Sequence, residues 1–359
     1  MAGQHPDRLK RVTMMDVAKR AGVSQPTVSF VLNDRRDVSV AEDTRRRVLE
    51  AAAQLDFRPN RAAQALRSNR SFTVGIVTNG IVSQPYAGRI VQGIQNAVQP
   101  ANYVCMVVDT TDDPAQGDAA VASLLAEGVA AIIYASPYPR PIHTSQLLIG
   151  TPTMFVNCWP ESLGSAHTVI LADEYAGGHA AANAVFELGH RDVAFLGGVT
   201  GDWAGGERLR GFQDAARQAG IDPDDLIQVS GDYMIGSGYD LTLQVCQGGA
   251  PTAIVCGNDR MAIGALLALH TLRLECPTDV SIVGFDDQPD VADQVRPAFT
   301  TVALPHLQMG HRAGDRLVNP PAEPTERIVE PCHLIRRESL SAPATNGSAR
   351  RRLGLTPPK

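Results

Sequence analysis

Residues 13 to 33, TMMDVAKRAGVSQPTVSFVLN, constrain the fold more than any other stretch of the chain. Thr13 stands three residues ahead of Asp16, the spacing at which a hydroxyl takes one orphan amide of a helix start and a carboxylate reaches back to another. A helix is therefore expected to begin near Met14. Val17, Ala18 and Ala21 recur at helical spacing, Gly22 can take the positive φ of a helix end, and Ser24 can cap a second helix. Pro26 falls in the first turn of that helix, where no intrahelical amide is lost. Two short helices joined by a glycine-containing turn make a helix-turn-helix, whose second helix is sized for the DNA major groove. The same pattern also suits an ordinary helical hairpin, so the surrounding chemistry has to decide.

Val28, Val31 and Leu32 supply an inner face for the second helix, which leaves Gln25, Pro26, Ser29, Phe30 and Asn33 pointing out, with Thr13, Ser24 and Thr27 at the helix starts. Such a face offers donors and acceptors of the kind used on base edges and phosphates. A third helix, DTRRRVLEAAAQLDF, carries Val48, Ala52 and Leu55 on one side and exposes Arg45, Arg46 and Arg47. Charge supports the DNA-binding form. Residues 1 to 70 hold 14 Lys or Arg against 8 Asp or Glu, a balance of +6, whereas residues 71 to 359 hold 18 against 30, a balance of −12. Phosphate neutralisation depends on local cationic density, which the whole-chain charge of −6 conceals.

Residues 57 to 70, FRPNRAAQALRSNR, follow. Pro59 stops the third helix, Asn60 can cap another, and RAAQALR consists of good helix formers. A helix of about eight residues does not persist alone in water. The segment is expected to fold only when something packs on it.

VTMMDVAKRAGVSQPTVSFVLN, TRRRVLEAA and FRPNRAAQALRS together resemble the DNA-binding domain and hinge of the lactose repressor (LacI/GalR) family. The resemblance implies that hinge helices of two subunits, carrying Asn60 and Arg61, pair in the minor groove, each wedging Leu66 into a central base step. An apolar wedge offsets the cost of unstacking by letting a kinked duplex touch more protein. Leu66 also suits a core position against the body. Two departures stand out: Phe30 occupies a place where many members have a guanine-reading Arg, and DVSVAEDTR is about two residues longer than the commonest connection. Phe30 can touch a thymine methyl but cannot donate to base edges.

From Phe72 onward short apolar runs alternate with helical stretches. TVGIV, YVCMVVD, AAIIYAS and TPTMFVN read as strands and GRIVQGIQNAVQ and AAVASLLAEG as helices of one set. VAFLGG, LIQVS, TAIVCGND and VSIVGFDD read as strands and YAGGHAAANAVFELG, ERLRGFQDAARQAG, SGYDLTLQVCQ and MAIGALLALHTL as helices of a second. This alternation builds parallel sheets through right-handed crossovers, giving an α/β body of two doubly wound lobes. GHRDVAFLGG, ERLRGF, CGNDRMAIGALLAL, DVSIVGFDD and PAFTTVALPHLQMG resemble the effector-binding part of the same family and of periplasmic sugar-binding proteins. The resemblance implies three lobe crossings, placed near 172, 302 and 332, and a ligand in the cleft between lobes at the carboxyl ends of the strands.

The expected organisation is a disordered leader 1–11, a three-helix helix-turn-helix head 12–58, a hinge helix 59–70, an N-terminal lobe 71–172 and 303–331, a C-terminal lobe 173–302 and 332–340, and a disordered tail 341–359. Strand ends nominate Gln84, Tyr86, Ser136, Asn157 and Trp159 from the first lobe and Trp203, Arg208, Tyr233, Asn258 and Asp286 from the second. The resemblance adds weight to Arg208, Asn258 and Asp286 as ligand contacts and to Tyr86 and Tyr233 as stacking walls. Hydroxyls need donors and acceptors, and sugar rings present CH faces to aromatics, so a sugar or related metabolite fits this set. Plainer roles stay open: turn caps for Asp286 and Asn258, a pair with Glu207 or Asp202 for Arg208, packing for Trp159 and Trp203.

No catalytic site, cofactor or metal is expected. LGGVTGDWAGG lacks the GK[ST] of a phosphate-binding loop, GSGYDL lacks the third glycine of a dinucleotide fingerprint, and no GxSxG occurs. The six cysteines are scattered without close metal spacing, as for free thiols in a reducing compartment. There is neither a leader-like apolar run at the start nor a stretch of 18 apolar residues. These point to the cytoplasm with no membrane partner, and the resemblance implies a homodimeric regulator that binds a palindromic double-stranded DNA operator.

Overall fold

The computed structural model describes residues 12–32, 38–57, 71–81, 84, 86–161, 167–321 and 326–344. Expectations for the leader 1–11, for Asn33, for the hinge with Asn60, Arg61 and Leu66, and for the tail past 344 fall outside the described residues. The chain divides into two units, residues 1–71 and 72–359.

In the first unit, α1 (Met14–Ala21), α2 (Gln25–Leu32) and α3 (Glu42–Gln54) surround a core in which Val17, Val28 and Val48 are wholly buried. The capping box forms: the Asp16 amide donates to the Thr13 hydroxyl at 3.3 Å and the Thr13 amide donates to the Asp16 carboxylate at 2.9 Å. Gly22 ends α1 at φ 66°, and Ser24 Oγ accepts from the Thr27 amide at 3.3 Å at the start of α2. The basic face of α3 is narrower than expected. Arg45 is half-buried, Arg46 pairs with Asp43 at 2.6 Å, and Arg47 donates to the Ala21 carbonyl at 3.1 Å, closing the exposed end of α1.

The second unit holds two six-stranded sheets. The first contains β1 (Thr73–Asn79), β2 (Val104–Thr110), β3 (Ala131–Ala135), β5 (Thr153–Val156), β7 (Thr168–Ala172) and β13 (Arg327–Glu330) in the order β13-β7-β5-β3-β1-β2, all parallel. Helices α4 (Gly88–Val98), α5 (Pro114–Ala126) and α10 (His306–Val318) pack on it, and a small side sheet joins β4 (Pro141–Ile142) to β6 (Trp159–Pro160). The second sheet contains β8 (Val193–Gly197), β9 (Ile227–Ser230), β10 (Ala253–Cys256), β11 (Ser281–Asp286), β12 (Thr300–Ala303) and β14 (His333–Ile335) in the order β14-β12-β11-β10-β8-β9. It is flanked by α6 (Glu174–Glu187), α7 (Trp203–Gln218), α8 (Ile235–Val245) and α9 (Asp259–Thr271). Its edge departs from a wholly parallel sheet, because β14 runs antiparallel to β12 with Thr301 opposite Ile335. Buried strands such as β3 and β8 carry no exposed residue, the mark of sheets covered on both faces.

The chain passes between sheets after Ala172, after Ala303 and between Glu330 and His333. The C-terminal lobe runs past the expected start of the tail. The Ser341 amide donates to Ser281 Oγ at 3.1 Å, and the buried His190 ring lies 2.7 Å from the Ser341 carbonyl. No described helix is long and apolar enough to cross a membrane.

Candidate functional site

At the carboxyl ends of the second sheet, Arg208 from the second turn of α7 is 6% exposed. Its Nε donates to Glu174 at 2.7 Å and NH1 to the Gly257 carbonyl at 2.6 Å, while Asp286 lies 3.7 Å from NH1. Its guanidinium carbon stands 3.8 Å from the Phe285 ring centroid. Glu174, the first residue of α6, is 1% exposed and sits just beyond the first lobe crossing. Burial opposes the charge on Arg208, but Glu174, Tyr233 and Asp286 outweigh it, so the guanidinium stays firmly ionised. α6 comes this close because Gly178 has no side chain: a Cβ there would stand 2.2 Å from the Arg208 carbonyl oxygen.

The neighbours of Arg208 are tied in turn. Tyr233, at φ 66°, donates its hydroxyl to Asp202 at 3.1 Å, and its ring lies where a Cβ on Gly198 would fall. Asn258 accepts from the Met261 amide at 2.8 Å as the cap of α9 and donates to the Tyr233 carbonyl at 3.0 Å. Asp286, at φ 101°, accepts from the Gln288 amide group at 3.0 Å. Burial pushes its carboxyl up to about 6 against the pull of Arg208. Behind it, buried Asp259 accepts from Thr301 at 2.6 Å and from the Gln288 amide at 2.7 Å; burial and Asp286 push it up to about 8.

The opposite wall is made differently. Tyr86 stacks on buried His306, with ring centroids 5.9 Å apart, and faces the Arg260 guanidinium of α9 at 5.8 Å. Trp159 on β6 meets Trp203 on α7 edge to face at 5.7 Å. The Tyr86–Arg260 and Trp159–Trp203 contacts bridge the lobes. Asn157, at φ 58° and 2% exposed, donates to the Ser136 carbonyl at 3.2 Å, but its own amide oxygen is buried without a donor. Ser136 directs its hydroxyl to the Tyr138 carbonyl at 2.8 Å, and Gln84 takes part through its backbone, accepting from Ala87 and Gly88.

The structure thus gathers Tyr86, Asn157, Trp159, Trp203, Arg208, Tyr233, Asn258 and Asp286 on two facing walls. It shows which of the plainer roles form. Arg208 pairs with neither Glu207, which goes to Arg210 at 2.6 Å, nor Asp202. Asn258 and Ser136 have their side chains committed to protein bonds. Sequence reading missed Glu174, Arg260 and His306. Arg260 lies two residues past the nominated Asn258, which was a usable signal; Glu174 lies two residues past β7, a strand not read from the sequence, and His306 carried no signal.

Two cavities lie at opposite ends of the first sheet. One of about 780 Å³ opens at the amino ends of β3, β5 and β7, lined by Leu148, Met154, Phe155 and Leu317. Another, of about 250 Å³, lies at the carboxyl ends and is lined by Asn79, Asp112, Ser136 and Arg140. Ligands of open parallel sheets bind at the carboxyl ends, where the polar groups here converge, so volume does not favour the larger one as the effector site.

On the first unit, Gln25 and Pro26 are exposed on α2 beside half-buried Thr27, Ser29 and Phe30. Thr13 and Ser24 are exposed at the helix starts, with hydroxyls engaged by Asp16 and Thr27.

Comparison with known proteins matches residues 13–60 to the lacI family of bacterial regulatory proteins and residues 182–340 to a periplasmic binding protein-like domain. The HTH-type transcriptional repressor PurR of Proteus mirabilis (strain HI4320) is 34% identical over 337 residues, 92% of this chain and 97% of that one. A structure of the Lac repressor dimer bound to operator and the anti-inducer ONPF superposes with a TM-score of 0.72 at 27% identity, over 93% of this chain and 100% of that chain. A complex of the transcriptional regulator CelR with cellobiose gives 0.62 at 27% identity, over 92% and 100%. A capped helix-turn-helix with a polar outer face and a two-lobed body with facing walls meet here with a full-length repressor relative, and the chain belongs to the LacI family of DNA-binding transcriptional regulators.

Proposed function

We propose that this protein is a homodimeric cytoplasmic repressor that binds a palindromic operator and yields or gains its grip when a sugar or related polyhydroxylated metabolite occupies the cleft. One observation carries the effector class. Between aromatic faces, and among the described residues, the cleft leaves Arg208 NH2 without an acceptor, Asn157 Oδ1 without a hydrogen-bond donor, and Asp286 Oδ1 with no donor nearer than Arg208 NH1 at 3.7 Å. A hydroxylated ring supplies both donors and acceptors for such groups. The cellobiose held by a structural neighbour is consistent with this class.

Dimerisation has physical support on β2. This edge strand exposes Val104, Met106 and Val107, and an uncovered apolar edge favours pairing with another copy. A twofold pair presents two copies of α2, with Gln25, Pro26, Thr27, Ser29 and Phe30, to half-sites related by the same symmetry, and Asn33 is a further DNA contact of the proposal. Asn60, Arg61 and Leu66 then contact the DNA between the half-sites, and ligand alters that contact through the angle between lobes. Gel shifts on palindromic DNA with and without a sugar panel test the scheme; unchanged binding with every sugar opposes it. Leu66→Ala is expected to weaken specific binding by about 1 kcal/mol or more while sparing non-specific binding, as a wedge rather than a phosphate contact would.

A further inference from the structure

Among the described residues, Arg208 and Arg337 of this region have acidic partners and Arg260 has none. Arg208 faces Glu174 at 2.7 Å and Asp286 at 3.7 Å, and Arg337 faces Asp287 at 2.7 Å. Arg260, in the first turn of α9, is half-buried and forms no ion pair among the described residues. Among the described residues its NH1 reaches only the Met234 thioether, at 3.9 Å, its Nε is buried without an acceptor, and its guanidinium faces Tyr86 of the other lobe at 5.8 Å. A thioether is a weak acceptor, and a ring face satisfies charge without satisfying N–H groups. Asp286 is near enough to feel Arg260, yet its oxygens lie against Arg208 and Gln288.

We infer that Arg260 is the anion-binding residue of the cleft and that the effector carries an acidic group, carboxylate or phosphate, on its polyhydroxylated frame. The inference rests on the cleft being the effector site. A guanidinium presents paired N–H groups in a planar fork that both oxyanions match, and half-burial strengthens the attraction by limiting competition from water. Arg260 stands beside Tyr86 and next but one to Asn258, so an anion held there keeps the ring of the same ligand between the walls.

The full chain is titrated calorimetrically with D-glucose, D-gluconate and D-glucose 6-phosphate, and with D-galactose, D-galacturonate and D-galactose 6-phosphate. At least one acidic member is expected to bind tenfold or more tighter than its neutral parent; the carboxylate and phosphate arms tell which oxyanion is read. Arg260→Met should erase that ratio and Arg260→Lys should keep part of it, with thermal midpoints confirming that both variants fold. A neutral sugar binding as tightly as its acidic partners, or an unchanged ratio in Arg260→Met, overturns the inference and leaves the sugar reading standing. Silence from every sugar, neutral or acidic, overturns both.

Discussion

On the C-terminal side of the cleft, Arg208, Glu174, Asp286, Gln288, Tyr233, Asp202 and Asn258 belong to a run of short polar contacts anchored on helix starts and strand ends. On the N-terminal side, Tyr86 meets His306 and Arg260 through ring faces, Trp159 meets Trp203 the same way, and Asn157 leaves half its amide unanswered. The first wall fixes directions before any ligand arrives, which lowers the ordering cost of binding. The second offers area whose geometry tolerates sliding, as a wall must if it moves relative to its partner. Under the proposed function, orientation and closure would thereby be divided between the lobes.

Glu174→Ala should break this division most severely. Removing the carboxylate leaves Arg208 buried with its charge facing Asp286 alone, and losing one member of a buried pair costs about 3–5 kcal/mol. Chemical denaturation of the full chain measures it. Glu174→Gln, which retains an acceptor for Arg208 Nε, should lose less. If Glu174→Ala costs under about 1 kcal/mol, the C-terminal wall is no more prewired than the other.

How much of this was legible beforehand follows the same boundary. Helix caps were readable because Thr13, Asp16, Gly22 and Ser24 act on backbone within three residues. Strands such as β1, β3 and β8 were readable because continuous burial leaves an apolar run. β7, β12, β13, β14 and α10 were not assigned. β13 offers only the pair Ile328 and Val329 between two charged residues at a sheet edge, and α10 hides its buried face under His306, Gly310 and Gly314. In the site, residues nominated from strand ends do face one another across the two walls, but the side-chain partners of Arg208 were not anticipated. Glu174 and Arg208 are 34 residues apart and meet only because α6 packs on α7 at Gly178, and no local spacing encodes that approach.

A smaller effect is expected at the rim. Edge-to-face aromatic pairs contribute about 0.5–1.5 kcal/mol beyond the area they bury. A double-mutant cycle on Trp159→Ala and Trp203→Ala, read by denaturation, should return a coupling in that range. A coupling near zero would mean that the rings touch without holding the lobes together, and the N-terminal wall would then be looser still.

The smallest effects sharpen the contrast through pH, because buried groups on the two walls are displaced in opposite directions. On the N-terminal side, burial pulls His306 down to about 4 despite a bond with the Tyr86 backbone. Below its ordinary 6.5 the unfolded chain takes up a proton that the fold refuses, so its contribution is lost as pH falls from about 6.5 to about 4. On the C-terminal side, Asp286 and Asp259 are pushed up to about 6 and about 8 by burial. There the fold keeps protons that the unfolded chain releases above 3.8, so stability from these groups declines as pH rises from about 4 toward 6 for Asp286 and 8 for Asp259. Thermal midpoints between pH 4 and 8 should therefore respond oppositely to His306→Gln, which flattens the acid side, and Asp259→Asn, which flattens the approach to pH 8 while keeping an acceptor for the Gln288 amide. Shifts of a few degrees are expected, at about 2–4 °C per kcal/mol. The same direction of change in both variants would show that the walls do not differ in how they hold their protons.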